Sequence, residues 1–377
     1  MKKIVFINQA TGYLTIDILN EFAQRFNDVA LITGSVRVQD DELNSKIKVS
    51  KVVKYNRGSN LKKASSWILG TIQIYLLLLF KYRGYEKVFF TIPPTAYLLP
   101  LTGRRFSIII YDLYPDALKI NGFKSDSWLY RWWIRRNQRI FPKAYKVYTL
   151  SDNMKDLVLN YAENVNVEVI PNWSAFSNYK PIKKEENSLL LENSLHDKFI
   201  VQYSGNIGAT HNVEVIIELA DKLRGHKNIV FQIIGRGVRT ETIAEMIDQK
   251  QLDNCSLLPF RPDEVLYESL CSASLAIVTL DDRTADVSVP SKTYNLMSAG
   301  VPIMAIAVSS SSLANIISEF ELGEAFEKDE IDGMSEFILN LLNNQSYLKE
   351  LRHNSFKASN SFSKANASRY LNSYLSN

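Results

Sequence analysis

The sequence predicts an α/β protein made of two Rossmann-like domains, and three observations lead there. Strand-like runs of Ile, Val and Phe alternate with helix-like segments along the whole chain, the pattern of parallel sheets joined by crossover helices. The alternation completes one series and restarts at Phe199. A length of 377 residues exceeds what one hydrophobic core usually serves, so two domains are expected.

The first series begins at the amino terminus. Met-Lys-Lys-Ile-Val-Phe-Ile-Asn lacks the longer apolar region and small-residue cleavage site of a signal peptide, so it reads as a first strand and cytoplasmic residence is expected. Buried strands are predicted over 3–8, 29–33, 87–92, 107–111, 146–150 and 167–170. The segment 67–80 carries no charge. It falls short of the roughly 20 residues that span a bilayer, and it reads as a core helix packed under a sheet. The next helical segment, 126–141, repeats Arg131, Arg135 and Arg139 beside Trp128, Trp132 and Trp133. Two readings stand for it: a basic helix lying on anionic lipid, or a surface helix whose Trp residues pack inward.

Residues 171–198 hold Pro-Asn-Trp, a Lys-Lys-Glu-Glu run and several Asn and Ser, as a solvated connection would. The predicted domains are therefore 1–178 and 195–359. The second series places strands over 199–203, 229–234, 256–260, 275–280 and 302–308. The tail from Asn354 is rich in Ser, Asn and Ala, with Tyr370, Leu371 and Tyr374 available to anchor a terminal helix.

Composition is that of an ordinary globular protein, with 46% hydrophobic and 22% charged residues. The net charge of +4 conceals an asymmetry: residues 1–190 hold 28 Lys and Arg against 16 Asp and Glu, whereas residues 191–377 hold 16 against 24. A basic half suggests an anionic partner, and nucleic acid is disfavoured because no recognition motif accompanies the charge. Cys255 and Cys271, the two cysteines, sit in apolar stretches without metal-ligand or CxxC spacing and read as buried thiols of a reduced compartment.

Ligands of an open parallel sheet gather at the carboxyl ends of its strands, which directs attention to three loops of the second domain. Tyr203-Ser204-Gly205-Asn206-Ile207-Gly208 precedes a helix expected near His211. Ile234-Gly235-Arg236-Gly237 places a guanidinium where an anion would bind, although a lone GxG most often marks only a tight turn. After the strand 275–280 comes a short helix opening at Pro290-Ser291-Lys292 and stopped by Gly300 and Pro302. Free N–H groups of Lys292 and Thr293, the Ser291 hydroxyl and the Lys292 ammonium together suit a diphosphate. The alternative is simple capping by Ser291 with Lys292 in solvent. Asp281-Asp282 has the form of a metal-binding carboxylate pair, but a solvated loop is the expectation, and no metal site is assigned.

With Asp112-Leu113-Tyr114-Pro115-Asp116, Ile170-Pro171-Asn172-Trp173 and the three loops above in this order, the chain resembles retaining glycosyltransferases of family 4, which have the GT-B fold. It is most similar in pattern to bacterial sugar transferases of O-antigen, capsule and colanic-acid assembly. The resemblance implies that the second domain binds a nucleotide sugar, the first binds the acceptor, the two face each other across a cleft, and residues 360–377 cross back to the first domain. Donor contacts are implied for Gly205, Asn206, Gly208, His211, Gly235, Gly237, Phe260, Pro290, Ser291, Thr293 and Asn295, and acceptor-side places for Gly12, Tyr114 and Asp116. Two departures matter: Asn295 stands where many relatives have a ribose-binding Glu, and no Arg/Lys pair follows the first strand of the second domain.

The expected reaction moves an N-acetylated or deoxy hexose, with retention, from a UDP-linked donor to a lipid-linked saccharide at the cytoplasmic face of an anionic membrane. No metal and no cofactor are expected. Lys292 and Arg236 would stabilise the leaving diphosphate. Asp112 would position or deprotonate the acceptor hydroxyl, or act as a turn carboxylate before Pro115. A nucleotide-sugar 2-epimerase and a non-catalytic nucleotide-sugar-binding protein are the alternatives.

Overall fold

The computed structural model describes residues 3–376 other than 57, 92–93, 96–104, 122, 209–210, 283–284 and 286–289. Outside the described residues therefore lie the predicted strand end at Ile92 and much of the loop between Asp282 and Pro290. The chain divides into two compact units, Met1–Ala175 with Lys364–Asn377, and Phe176–Ala285 with Val289–Ser363.

The first unit contains β1 (Lys3–Ile7), β2 (Ala10–Thr11), α1 (Tyr13–Arg25), β3 (Asp28–Thr33), β4 (Ser35–Val36), β5 (Lys48–Lys51), α2 (Asn60–Phe80), β6 (Glu86–Phe90), β7 (Phe106–Ile109), α3 (Trp128–Ile140), β8 (Val147–Thr149), α4 (Asp152–Tyr161) and β9 (Val167–Val169). Its large sheet has the order β5-β3-β1-β6-β7-β8-β9 with all neighbours parallel, and β2 pairs with β4 apart from it. The second unit contains α5 (Ser188–Glu192), β10 (Phe199–Asn206), α6 (Glu214–Lys222), β11 (Ile229–Arg236), α7 (Thr240–Lys250), β12 (Cys255–Leu258), α8 (Asp263–Cys271), β13 (Leu275–Thr279), α9 (Lys292–Ser298), β14 (Ile303–Ile306), α10 (Ser312–Glu319), β15 (Gly323–Phe326), α11 (Ile331–Asn343) and α12 (Gln345–Ala358). Its sheet is again parallel, in the order β12-β11-β10-β13-β14-β15. Two Rossmann-like units are thus present, as the restart of the strand series predicts.

Parallel strands are buried on both faces, which is why β1, β3, β10 and β13 read as nearly unbroken apolar runs. Side chains of α6, α7 and α11 fill one face of the second sheet, and those of α8, α9 and α10 fill the other. Several helices start where a Ser side chain accepts an N–H three residues on: Ser59 for α2, Ser127 for α3, Ser151 for α4 and Ser311 for α10. Both cysteines are buried, and burial pushes the Cys255 thiol up to about 12.

The last helix, α13 (Ala365–Leu375), belongs to the first unit. It covers the α1 side of that sheet with Tyr370, Leu371 and Tyr374, all buried among Phe22, Tyr148 and Trp173. Tyr374 meets Phe22 edge to face at 5.4 Å, and Tyr370 lies 4.9 Å from Tyr148. Trp173 corrects the expectation of a solvated connection over 171–198: it is fully buried, and its indole N–H donates to the Asp17 carboxylate at 2.8 Å. Asn187 is buried too, capping α5. Pro-Asn-Trp is a plug under α13, and polar composition alone hid it.

A second correction concerns α2. The uncharged segment 67–80 is not a core helix covered on all sides. Ile74 and Leu78 pack into the core beside Trp133 and Ile140 of α3, whereas Leu61, Ile68, Leu69, Ile72, Leu76, Leu79 and Phe80 are exposed. One sheet covers one side of a helix, and hydropathy does not report whether a second layer exists. The inward-packing reading of α3 holds for Trp133 alone, since Trp128 is 73% exposed and Trp132 40%.

Truncating Trp173 empties a site that nothing nearby can fill, and leaves Asp17 without its indole donor. Trp173→Ala is expected to destabilise the first unit by about 3–5 kcal/mol, measured by urea unfolding.

Candidate functional site

In the second unit the strand order reverses between β10 and β13, because β11 and β12 extend the sheet on one side of β10 and β13 begins the other. Ligands of such sheets bind outside the carboxyl ends of the strands at this switch. β10 and β11 run further than predicted and stay paired as far as Asn206 and Arg236. Beyond them the two loops are bound together: Ile207 N–H donates to Arg236 O at 3.0 Å, and Arg239 N–H to Ile207 O at 3.1 Å. Gly235 and Gly237 make that possible, since a Cβ would fall 1.9 Å from Gly205 O and 2.1 Å from Ile207 O. The GxG spacing therefore first serves loop-on-loop packing.

The helix after β10 starts at Glu214, later than expected, and His211 lies in the loop before it with its N–H on Gly208 O. Glu214 forms an ion pair with Arg239 at 2.6 Å. Arg236 stays exposed, its guanidinium 5.1 Å from the Phe260 ring centroid, so these two predicted donor residues stand together.

After β13 the chain reaches α9. Its carboxyl end is as the stop signals predict: Gly300 adopts φ +62°, Gly300 N–H donates to Met297 O, and Val301 N–H to Leu296 O. These paired bonds close the helix in a Schellman arrangement. The amino end differs from expectation. Ser291 makes no side-chain cap, and Thr293 N–H is not free but donates to Pro290 O at 3.0 Å. Asn295 is half-buried on the second turn.

What α9 does present is Lys292. Its Nζ is enclosed, lies 4.1 Å from the Tyr203 ring centroid, and has no hydrogen-bond partner among the described residues. Tyr203 and Gly205 share one face of β10 because side chains alternate along a strand. The ring supports the ammonium, and the bare Gly205 Cα leaves it room, since a Cβ there would come within 3.2 Å of Nζ. Sequence reasoning singled out Lys292 and Gly205 but gave Tyr203 no role, although its position two residues before Gly205 carried that signal. Burial pushes the Lys292 amine down to about 7. The neighbouring His211 is lowered as well, first by burial and then by Lys292, with Asp281 partly opposing. Asp282 is turned to Lys328, 3.8 Å away. The site thus holds an enclosed amine without a hydrogen-bond partner among the described residues, an arrangement suited to an anion.

In the first unit the predicted acceptor-side residues separate. Gly12 caps α1 at the end of the β1 crossover, with nothing within 4 Å of where a Cβ would lie. Asp112 follows β7, half-buried, its N–H directed at Thr91 Oγ1. The Tyr114 ring stacks on Trp133 at 5.7 Å, and burial, then Asp112, raises its hydroxyl. Asp116 is engaged on every side by the Tyr130 and Tyr161 hydroxyls and by Lys119. It holds the loop after β7 to α3 and α4.

An unpaired buried ammonium costs folding energy. The amine is depressed in the folded state, so its penalty is full below pH 7 and fades as pH rises toward the unfolded value near 10.4. Lys292→Met is therefore expected to raise the melting temperature of the ligand-free protein by about 2–4 °C near pH 6–7. The gain should shrink by pH 9, as thermal melts across that range will show.

Compared with known proteins, residues 190–358 match the family described as Glycosyl transferases group 1. The chain is 26% identical over 241 residues to the probable glycosyltransferase WbjE of Pseudomonas aeruginosa, covering 62% of this chain and 58% of that protein. It is 29% identical over 157 residues to the putative colanic acid biosynthesis glycosyl transferase WcaI of Escherichia coli K12, covering 41% and 38%. The match thus spans between about two fifths and three fifths of these curated relatives. Among solved structures, sucrose-phosphate synthase of Thermosynechococcus elongatus superposes with a TM-score of 0.76 at 14% identity, over 99% of this chain and 98% of that one. Alr3699/HepE of Anabaena in complex with UDP-glucose superposes with a TM-score of 0.72 at 13% identity, over 100% and 99%. Residues 190–358 accordingly form a Glycosyl transferases group 1 domain, carried on a chain of GT-B fold.

Proposed function

We propose that this chain is a retaining, metal-independent glycosyltransferase of family 4 acting in surface polysaccharide synthesis. It transfers an N-acetylated or deoxy hexose from a UDP-linked donor to a lipid-linked saccharide acceptor. The observation that carries the reading is the enclosed Lys292 ammonium, without a hydrogen-bond partner among the described residues, at the switch point of a Glycosyl transferases group 1 domain. UDP as the carrier is supported by the fold's likeness to HepE, which was solved with UDP-glucose. Polysaccharide synthesis is supported by the colanic acid relative. Neither the 2-epimerase nor the binding-only alternative is favoured, since both curated relatives are named as glycosyltransferases.

In this reading the bond from the anomeric carbon to the diphosphate oxygen breaks while a bond to the acceptor oxygen forms on the same face. The acceptor proton passes to the departing phosphate, with Asp112 positioning the hydroxyl or assisting its loss. Lys292 answers the negative charge growing on the diphosphate, and Arg236, held over Phe260, adds a second cation. Gly205, Asn206, Gly208 and His211 line the approach beside them, and Asn295 contributes a neutral hydrogen-bonding group for hydroxyls. A diphosphate beside Lys292 supplies an anionic partner, so binding draws the amine back toward its charged form.

Lys292→Ala is expected to lower the transfer rate by about 100-fold or more, scored by product formation from a panel of UDP-sugars. Near-normal turnover would remove Lys292 from the mechanism, and loss of activity in EDTA would overturn metal independence. UDP affinity, measured by calorimetry, should be full below pH 7 and decline as pH rises above it. Lys292→Met should bind weakly and with no such decline.

A further inference from the structure

The exposed side of α2 is long and apolar. Leu61, Ile68, Ile72, Leu76 and Leu79 recur at intervals of seven, four, four and three residues, one stripe of a helix, flanked by Leu69 and Phe80. Ile72 is 52% exposed and Phe80 82%. Contiguous exposed apolar surface of this kind marks an interaction site.

The neighbouring helix on the same side of the sheet is α3. Ile74 and Leu78 share a core with Trp133 and Ile140, and Trp67 of α2 stacks on Trp133 of α3 at 5.9 Å with an interplanar angle of 15°. α3 turns outward Trp128, Arg131, Trp132, Arg135 and Arg139, again one stripe. Around α2 the chain is uniformly basic: residues 43–85 contain nine Lys and Arg and no Asp or Glu.

We propose that α2 and α3 together dock on an anionic lipid bilayer. α2 lies in the interfacial plane with its apolar stripe at the acyl boundary. The arginines of α3 and the lysines at the ends of α2 meet headgroup phosphates, and Trp128 and Trp132 sit at headgroup depth. Charge complementarity selects this occupant over others. A second copy meeting the same face across a twofold axis would set these arginines against one another. A nucleic acid would meet the cations but has no use for the apolar stripe. Spanning is excluded by the packing: Gln9 donates to Ser66 O on α2, and Gln73 of α2 accepts Val53 N–H, so the helix is fixed to its sheet along the buried side.

This inference goes beyond the donor chemistry and is tested apart from it, on the whole chain. Co-sedimentation compares phosphatidylcholine vesicles with vesicles in which roughly one lipid in three is phosphatidylglycerol, at low and high salt. The wild type should partition onto the anionic vesicles, and less so at high salt. Ile72→Glu/Leu76→Glu and, separately, Arg131→Glu/Arg135→Glu should each lower partitioning by about tenfold or more, with melting temperature and UDP affinity unchanged. The proposal is overturned if the wild type stays in the supernatant, if it ignores anionic lipid, or if both variants partition like the wild type. A dimer in light scattering that Ile72→Glu/Leu76→Glu dissociates would overturn it in favour of a second copy. UDP affinity lost in the wild type with vesicle binding intact would instead count against the donor reading alone.

Discussion

Every neighbouring pair in the two large sheets runs parallel, and most of the molecule follows from that constraint. Parallel strands require crossovers, every crossover of the second sheet carries a helix, and the loops after the strands collect along one edge of each sheet. In the second unit this brings the ends of β10 and β11 to one place, and the reversal of strand order sets β13, and α9 after it, beside them. Lys292 reaches Tyr203 because α9 follows the strand on the far side of the switch. The glycines of β11 then let the two loops touch, so that Ile207 binds both Arg236 and Arg239 through the backbone. The site is a product of connectivity before it is a product of individual side chains.

At that edge the chain holds a group that stability alone would not retain. An ammonium that faces an aromatic ring and no hydrogen-bond partner among the described residues recovers about 0.5–2 kcal/mol from the ring quadrupole. That does not balance the loss of hydration, and the depression of the amine to about 7 records the shortfall. His211 beside it is lowered too, first by burial and then by Lys292. Such local conflict with folding is tolerated where a ligand resolves it. In the proposed reaction, the absence of the Glu and of the Arg/Lys pair that the resemblance would supply leaves this one amine with more of the task.

The two strand series were legible because β-branched and aromatic runs report burial on both faces directly, and the end of α9 because Gly300 and Pro302 are stop signals by chemistry. Lys292 was legible as the residue that distinguishes the start of α9, but the local geometry expected there differs. Capping logic pointed to free N–H groups at the helix start, whereas Pro290 O takes the Thr293 N–H and the side-chain amine remains. Tyr203 and the buried Trp173 were missed for a common reason. Each acts through a partner distant in sequence, α9 for one, and Asp17 and α13 for the other, and local composition does not contain such pairings.

α2 shows the same limit from the opposite side. A run without charge has two physical meanings, cover on every side or an apolar face left open, and only the presence or absence of a second packed layer separates them. Among the described residues the layer on that side of the sheet is single: α2 and α3 lie next to each other through Trp67 and Trp133, each with an exposed outer stripe. The excess of cations in the first half of the chain then acquires a location. Neither feature suffices by itself, since a basic surface alone is an ordinary solvated face and an apolar stripe alone invites aggregation or self-association. Set side by side on one layer, the cations oppose self-association, and the stripe has a use only where anionic headgroups overlie hydrocarbon. The geometry that leaves Ile72 uncovered and the charge pattern around it therefore constrain each other, and together they restrict what can cover the face more narrowly than either does alone.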